Sequence, residues 1–328
     1  MQRPQKATNG GNMADYIVNG YAYPTISPRT LDWWMPYLTW ISNFSYGFTE
    51  SGQLINLEDS NLVEGAKAAG VLSLMVLTPL DEEGMFNDRV ARAVMDDPAA
   101  EETLIENIEK NIIEKGLNGV DFDFEYVETE YALKYAELVS KARSRLEPQG
   151  YITTVALAPK TGRAQQGLLY QGHDYKALGE AADYSLIMTY EWGYTYGPPL
   201  PVSPINNVRR VVEYATTEIP PEKILLGMSN YGYDWTLPYE RGVTKAEKLA
   251  NYQAEARANY YGVPIYYDEE AQSPYFTYYA PSGTEHIVWF ENQTSWQARL
   301  NLVKEYGLAG VGIWNIMTIF YGGLPERE

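Results

Sequence analysis

The sequence predicts an α/β fold, a (β/α)8 TIM barrel with a small α+β insertion between its seventh strand and its last helix. Three observations predict it. Eight strand-like apolar runs recur along the 328 residues. Segments of helical period lie between most of them. The spacing breaks once, over 235–292. Alternating strands and helices imply a mostly parallel sheet, and eight such strands can close a barrel. An open doubly wound sheet is the alternative. No Gly-rich nucleotide fingerprint follows the first strand, which weighs against it.

The elements follow in order. "YIVNGYAY" (16–23), "LTWISNFSYGF" (38–48) and "VLSLMVL" (71–77) read as the first three strands. The clearest helix is "EETLIENIEKNIIEKG", where Leu104, Ile105, Ile108 and Ile112 share one face. Glu101 and Glu102 sit near its positive end, and Gly116 suits a left-handed cap. "GVDFDFEY" (119–126) is the fourth strand, followed by the helical "TEYALKYAELVSKARSRL". "YITTVALA" (151–158) and "YSLIMTY" (184–190) are the fifth and sixth. "SPINNVRRVVEYATTE" is a helix with Pro204 suited to its first turn. "ILLGMSNYGY" (224–233) is the seventh strand. The insertion holds a helix-like "TKAEKLANYQAEARANYYG" and a hairpin around Pro281, Ser282 and Gly283. The helix "TSWQARLNLVKEYG" then leads to the eighth strand, "GVGIWNI" (310–316). Residues 1–13 read as a linker or flexible N-terminus, and 14–328 as one barrel unit. An insertion on a βα-loop lies on the active face of a barrel, where it deepens a cleft.

Composition narrows the function. Net charge is −18 and the pI is about 4.6, which disfavours nucleic acid and anionic membrane as partners. The longest apolar run is too short to span a bilayer. The N-terminus does not read as a signal peptide. There are no cysteines, so disulfides are excluded. The two histidines, His173 and His286, lie far apart in sequence. That argues against a His-rich metal site or a Ser-His-Asp triad, and both read as structural or surface residues. No cofactor and no metal is expected, and the chain is expected to be a monomer.

Within "GVDFDFEY", Asp121, Asp123 and Glu125 alternate with Val120, Phe122 and Phe124. Side chains alternate across a strand, so the three carboxylates form a row, neighbours about 6.5–7 Å apart. With the apolar residues packed outward, the row faces the barrel interior. Buried charges there cost several kcal/mol each unless protonated, paired or bonded. Stability alone rarely selects such a row, so it points to function. Glu125 falls at the mouth and Asp121 deepest. Crowding predicts a proton shared by the inner aspartates and a raised Glu125 pKa, which suits a general acid. A metal site is the rival reading, but three residues of one strand span too far for one ion to touch all three.

"NGVDFDFE" (118–125) resembles the DGxDxDxE signature of glycoside hydrolase family 18, matching all but its first position. The resemblance extends to "MTY" on the sixth strand, a late Trp on the eighth and the insertion after the seventh. "MTYEWGYTYGPP", "YGYDWTLPY" and "EHIVWFEN" look most like the branch of spore-forming bacteria that degrades spore-cortex peptidoglycan during germination. The resemblance implies a retaining endo-β-N-acetylglucosaminidase, associated with spore cortex, coat or cell wall. The 2-acetamido carbonyl of the substrate is then the nucleophile, through an oxazolinium intermediate, so no second carboxylate is needed across the cleft. It assigns Glu125 as acid and then base, Asp123 as orienter of the acetamido N–H and Asp121 as its support. Tyr190 would bond the acetamido oxygen, Met188 line the pocket and Trp314 form the floor.

The many aromatic residues, 29 Tyr and 8 Trp, suit the flat faces of sugars independently. Tyr21, Tyr23, Trp192, Tyr194, Tyr231, Tyr233 and Trp235 fall near expected strand ends, and about half are expected to touch sugar. Glu191 and Asn230 are further sugar-binding candidates. Asn118 departs from the signature at a structural position. "SLMV" (73–76) keeps Ser73 but lacks the glycines of many chitinases at that strand. Relatives of the cortex branch commonly carry wall-binding repeats before the barrel, and none is expected before Ala14. Chitinase activity and a non-catalytic carbohydrate-binding lectin are the competing functions; the intact Glu125 weighs against the lectin.

Overall fold

The computed structural model describes residues 16–80, 84, 86–167 and 169–327. The expected linker over 1–13 lies outside them. Fourteen strands and nine α-helices follow one another among the described residues. β1 (Ile17–Ala22), α1 (Pro28–Trp34), β2 (Trp40–Phe48), β3 (Leu54–Ile55), α2 (Ser60–Ala69) and β4 (Leu72–Leu77) come first. Then come α3 (Asp88–Asp96), α4 (Pro98–Lys115), β5 (Gly119–Phe122), α5 (Ala132–Leu146), β6 (Ile152–Leu157), α6 (Tyr175–Ala181) and β7 (Tyr184–Ile187). After them lie α7 (Ile205–Glu218), β8 (Ile224–Ser229), β9 (Gly232–Thr236), β10 (Glu247–Leu249) and α8 (Asn251–Tyr261). β11 (Tyr266–Asp268), β12 (Ser273–Tyr279), β13 (Glu285–Trp289), α9 (Gln293–Tyr306) and β14 (Gly310–Trp314) complete the chain.

Eight parallel strands close on themselves in the order β1, β14, β8, β7, β6, β5, β4, β2, with β2 pairing back to β1. This is the expected (β/α)8 barrel. Helix α4 shows how its shell forms. Asp97 caps it through the Ala99 N–H, Pro98 opens its first turn, and Gly116 ends it at φ 71°. Its buried face carries Leu104, Ile105, Ile108 and Ile112, as the spacing predicts.

The core has two layers, set by strand alternation. Val120, Phe122, Met75, Val155 and Ile187 point outward to the helices. Leu74, Val76, Ile152, Ala156, Leu186 and Leu225 fill the barrel interior. Tyr21, Met188 and Trp314 belong to that interior layer. Gly227 on β8 stands where a Cβ would collide with the Ile187 carbonyl oxygen and the Tyr190 ring.

The insertion is a five-stranded sheet ordered β10-β9-β13-β12-β11. The expected hairpin is there, as β12 and β13 pair antiparallel. Two expectations are corrected. The apolar run 224–233 is two strands: β8 ends at Ser229, and β9 leaves the barrel to build the insertion. The helix expected over "TKAEKLANYQAEARANYYG" begins only at Asn251, because Glu247–Leu249 pairs with β9 as an edge strand. One face of this sheet is covered by α8 through Leu249, Ala254, Ala258, Phe276 and Val288. The other meets the barrel mouth through Tyr233, Trp235 and Trp289.

The insertion is clamped to the barrel. Glu291 and Arg299 are both 1% exposed. Arg299 donates to the carbonyls of Gln272, Ser295 and Ser203, and Glu291 accepts from Ser229 and Ser295.

Candidate active site

β5 ends at Phe122, so the carboxylate row outlasts its strand. The extended backbone continues one step, with the Asp123 N–H donating to the Leu77 carbonyl at 2.9 Å. The segment is held from outside. Phe124 stacks on Phe48 and Tyr135, and His173 lies buried beneath it. The Ala158 N–H donates to His173 Nδ1 at 2.8 Å, so Nε2 carries the proton and donates to the Phe124 carbonyl at 2.8 Å. Burial pushes the His173 pKa down to about 4, so the ring is neutral at ordinary pH. The structural reading of His173 is correct, and its place is directly behind Glu125.

With Phe122 and Phe124 turned outward, the three acids face the barrel axis. Asp121 is fully buried. The Tyr21 hydroxyl donates to its Oδ2 at 2.6 Å, and the Thr154 hydroxyl to its Oδ1 at 2.6 Å. Thr154 is its register partner on β6. Burial raises the Asp121 pKa, against the pull of these two bonds. No hydrogen bond joins Asp121 to Asp123 among the described residues. One hydroxyl donates to each oxygen of Asp121.

Asp123 is 6% exposed and its Oδ1 is buried with no hydrogen-bond partner. Burial, then the charges of Glu125 and Asp121, hold its carboxyl well above the usual range. Glu125 is half-buried, and burial followed by the charge of Glu191 raises its pKa. The raised Glu125 pKa is as expected, and Glu191 joins the row as a negative neighbour. No lysine or arginine pairs with any of the three carboxylates among the described residues.

The next wall of the mouth, two strands round the barrel, belongs to β7 and the residues after it. The Tyr190 hydroxyl is pushed well above the usual phenol range by burial first, then by Asp123, Glu125, Glu191 and Asp121. Glu191 takes a left-handed backbone, φ 67°, uncommon for a residue with a side chain. Its Oε1 accepts from Tyr231 at 2.5 Å and Tyr233 at 2.9 Å. Met188 lines the interior beside Trp314. Trp314 lies in an aromatic nest, 4.8 Å from Phe44, 5.8 Å from Tyr21 and 6.0 Å from Tyr23 between ring centroids.

Other candidates are elsewhere or otherwise engaged. Asn230 donates to the carbonyls of Asn315 and Thr318 and accepts from Asn251, so it is a structural clamp. Trp235 is fully buried and donates to the Gly197 carbonyl at 2.9 Å. Trp192 packs against the barrel–helix core. Tyr21 supports Asp121 from within the barrel, while Tyr23 and Tyr194 remain exposed. His286 accompanies Asp234 inside the insertion. Asn118 accepts from the Ser73 N–H at 2.9 Å, a structural position as expected. Thr154 was not legible, because only the register of β5 on β6 brings it to Asp121. A cavity of about 470 Å³, lined by Phe86, Arg92, Met95, Phe124 and Tyr126, opens on the outer side of the segment. The carboxylates face away from it, so the chemistry belongs to the barrel mouth.

A closed barrel with an unneutralised carboxylate row at its mouth is the geometry that the signature implied. The family model described as "Glycosyl hydrolases family 18" matches residues 88–318. The chain belongs to glycoside hydrolase family 18. Family 18 relatives include the "Cortical fragment-lytic enzyme" of Bacillus subtilis, 40% identical over 285 residues. That match covers 87% of this chain and 66% of the relative, so the chain spans just under two thirds of its length. The crystal structure of the Bacillus megaterium spore cortex-lytic enzyme SleL superposes with a TM-score of 0.88 at 38% identity. It covers 93% of this chain and 71% of that one. A chitinase from Chromobacterium violaceum, 24% identical, shares the fold with a TM-score of 0.84 over 95% of each chain.

Proposed function

We propose that this family 18 barrel is a retaining endo-β-N-acetylglucosaminidase that cuts N-acetylglucosamine-containing glycan, foremost spore-cortex peptidoglycan. The observation that carries the reading is the row of two buried acids and one half-buried acid with no paired cation among the described residues. Its central member, Asp123, has a carboxylate oxygen with no partner. A substrate acetamido N–H supplies the missing donor there. Asp123 then holds the acetamido group so that its carbonyl oxygen attacks the anomeric carbon. Glu125, whose pKa burial and Glu191 raise, gives its proton to the leaving oxygen. It then takes a proton from the water that opens the oxazolinium intermediate, and configuration is retained. This is the substrate-assisted route, an exception to the two-carboxylate scheme. Asp121 and Tyr21 fix the base of the row. The Tyr190 hydroxyl reaches the acetamido oxygen, and Trp314 with Met188 forms an apolar floor.

Residues 14–328 act in this reading as one catalytic unit, with the insertion as one wall of the cleft. The enzyme works as a monomer, in spore cortex, coat or cell wall. The names of the relatives from Bacillus support cortex as the substrate. The test is digestion of isolated spore cortex, pre-cut by a muramidase, with products read by mass spectrometry. Wild type yields fragments ending in reducing N-acetylglucosamine, and Glu125→Gln yields none. No new reducing ends from cortex fragments or from N-acetylglucosamine oligomers would overturn the reading.

A further inference from the structure

The cleft has one unexplained charge, and it is positive. Lys248 stands on β10, the edge strand of the insertion, directly opposite Tyr233 in the antiparallel register. Directly paired residues share a face. Tyr233 faces the barrel mouth and donates to Glu191, so Lys248 shares that face. Its ammonium stands 3.8 Å above the centroid of the Tyr231 ring, whose hydroxyl also donates to Glu191.

Other cations set into this molecule are committed. Lys115 pairs with Asp59, Arg257 with Asp234 and Glu247, and Arg299 with Glu291 and three carbonyls. Lys160 donates to the His173 carbonyl. Among the described residues, the Lys248 ammonium has no carboxylate within salt-bridge reach and no hydrogen-bond acceptor. Lys248 is exposed and its ammonium lies over the face of Tyr231, so its three N–H donors stay open to water or to a ligand. The surrounding walls lower its pKa, and Glu191 opposes that shift. The chain has 43 acids and 25 Lys and Arg, so an uncommitted cation at the mouth is not a shortage of partners.

We propose that Lys248 is a specificity residue that receives a carboxylate carried by the glycan, one sugar unit or so from the reacting bond. The inference rests on the peptidoglycan reading above. Chitin is a neutral polymer of N-acetylglucosamine. Peptidoglycan alternates that sugar with one bearing a lactyl ether, which ends in a free carboxylate or continues into a peptide that ends in one. Lys248 separates the two classes by charge, and the insertion clamp holds it over the cleft. Glu191, on the other side of Tyr231, keeps its second oxygen for a sugar hydroxyl.

The test compares Lys248→Met with wild type on three saccharides of equal length. One is a neutral N-acetylglucosamine oligomer. The second carries free lactyl carboxylates. The third carries lactyl-linked peptides with free terminal carboxylates. Lys248→Met lowers kcat/KM on the charged saccharide it recognises about tenfold more than on the neutral oligomer, mostly through KM. Lys248→Arg restores most of the difference. Converting the carboxylates to methyl amides removes it in wild type. The arm that responds names the source of the carboxylate. An equal loss on all three saccharides would overturn the proposal, leaving Lys248 as a support for Tyr231. Wild type that cuts the neutral oligomer but neither lactyl saccharide would instead overturn the peptidoglycan reading itself.

Discussion

The barrel mouth and the rest of this molecule bury aspartate in opposite ways. In the insertion, Asp234 is 4% exposed and pairs with Arg257, accepts from Tyr278 at 2.6 Å and lies 2.7 Å from His286 Nδ1. Under β2, Asp59 is 1% exposed and receives Lys115 at 2.8 Å, Asn43 at 2.8 Å and Tyr46 at 2.6 Å. At the barrel mouth, Asp121 has two hydroxyls and no cation, and Asp123 has an oxygen with nothing. Burial is equal; compensation is not. A buried acid with a cation and a full set of donors is structural support. A buried acid left short of both is held for a ligand that brings the missing group.

The largest expected effect falls on Glu125. Glu125→Gln keeps the side-chain shape and loses the proton. Turnover drops by about 10³-fold, within the range of acid–base catalysis, while the midpoint of unfolding does not fall. Calorimetric binding of a substrate oligomer to this variant stays within a few-fold of wild type. Loss of binding in parallel with turnover would mean that Glu125 positions sugar and does not deliver a proton.

A pair of amide substitutions tests the comparison itself. Asp123→Asn lowers kcat by about 10²-fold, because the developing positive charge loses its anion. Its thermal midpoint stays level or rises, since a desolvated carboxylate is removed. Asp234→Asn does the reverse. It costs about 2–3 kcal/mol of stability by removing the buried partner of Arg257 and disturbing the bonds from Tyr278 and His286, with turnover per folded molecule little changed. Denaturant titration with active-site counting on both variants separates the outcomes. If Asp123→Asn unfolds the barrel, the row is structural after all.

The smallest expected effect is a shift in pH profile. Glu125 works as an acid in its protonated form, so kcat declines as pH rises through its raised pKa. Glu191 is a cause of that rise, second to burial. Glu191→Gln removes the negative neighbour and lowers the Glu125 pKa. The alkaline limb of the kcat profile then moves to lower pH, by less than burial alone contributes. An unmoved limb would mean that the titrating group is not Glu125.

These contrasts also mark how far the sequence could be read. The barrel strands were legible because they are short apolar runs at regular intervals. The row was legible because Asp121, Asp123 and Glu125 alternate with apolar residues along β5 and the segment that directly follows it. What surrounds the row was not. Thr154 and Tyr21 reach Asp121 only through strand register and closure of the barrel. Asn230 reads as a site residue because it follows a strand end, yet its hydrogen bonds tie Asn315 and Thr318 beyond β14 to Asn251 of the insertion. β9 was merged with β8 because Tyr231 and Tyr233 continue an apolar run across a change of sheet. β10 reads as helix in sequence because three residues at a sheet edge carry no period of their own. Lys248 was missed with it.

The central claim is that the acids of one strand suffice because the substrate's acetamido group is the nucleophile. The most direct test is the anomer first formed. Hydrolysis of an N-acetylglucosamine-containing oligomer is followed by proton NMR at early times, before mutarotation scrambles the new reducing end. The account predicts the β anomer first, with configuration retained. The α anomer first would require water to attack from the opposite face under a second carboxylate, and would contradict it.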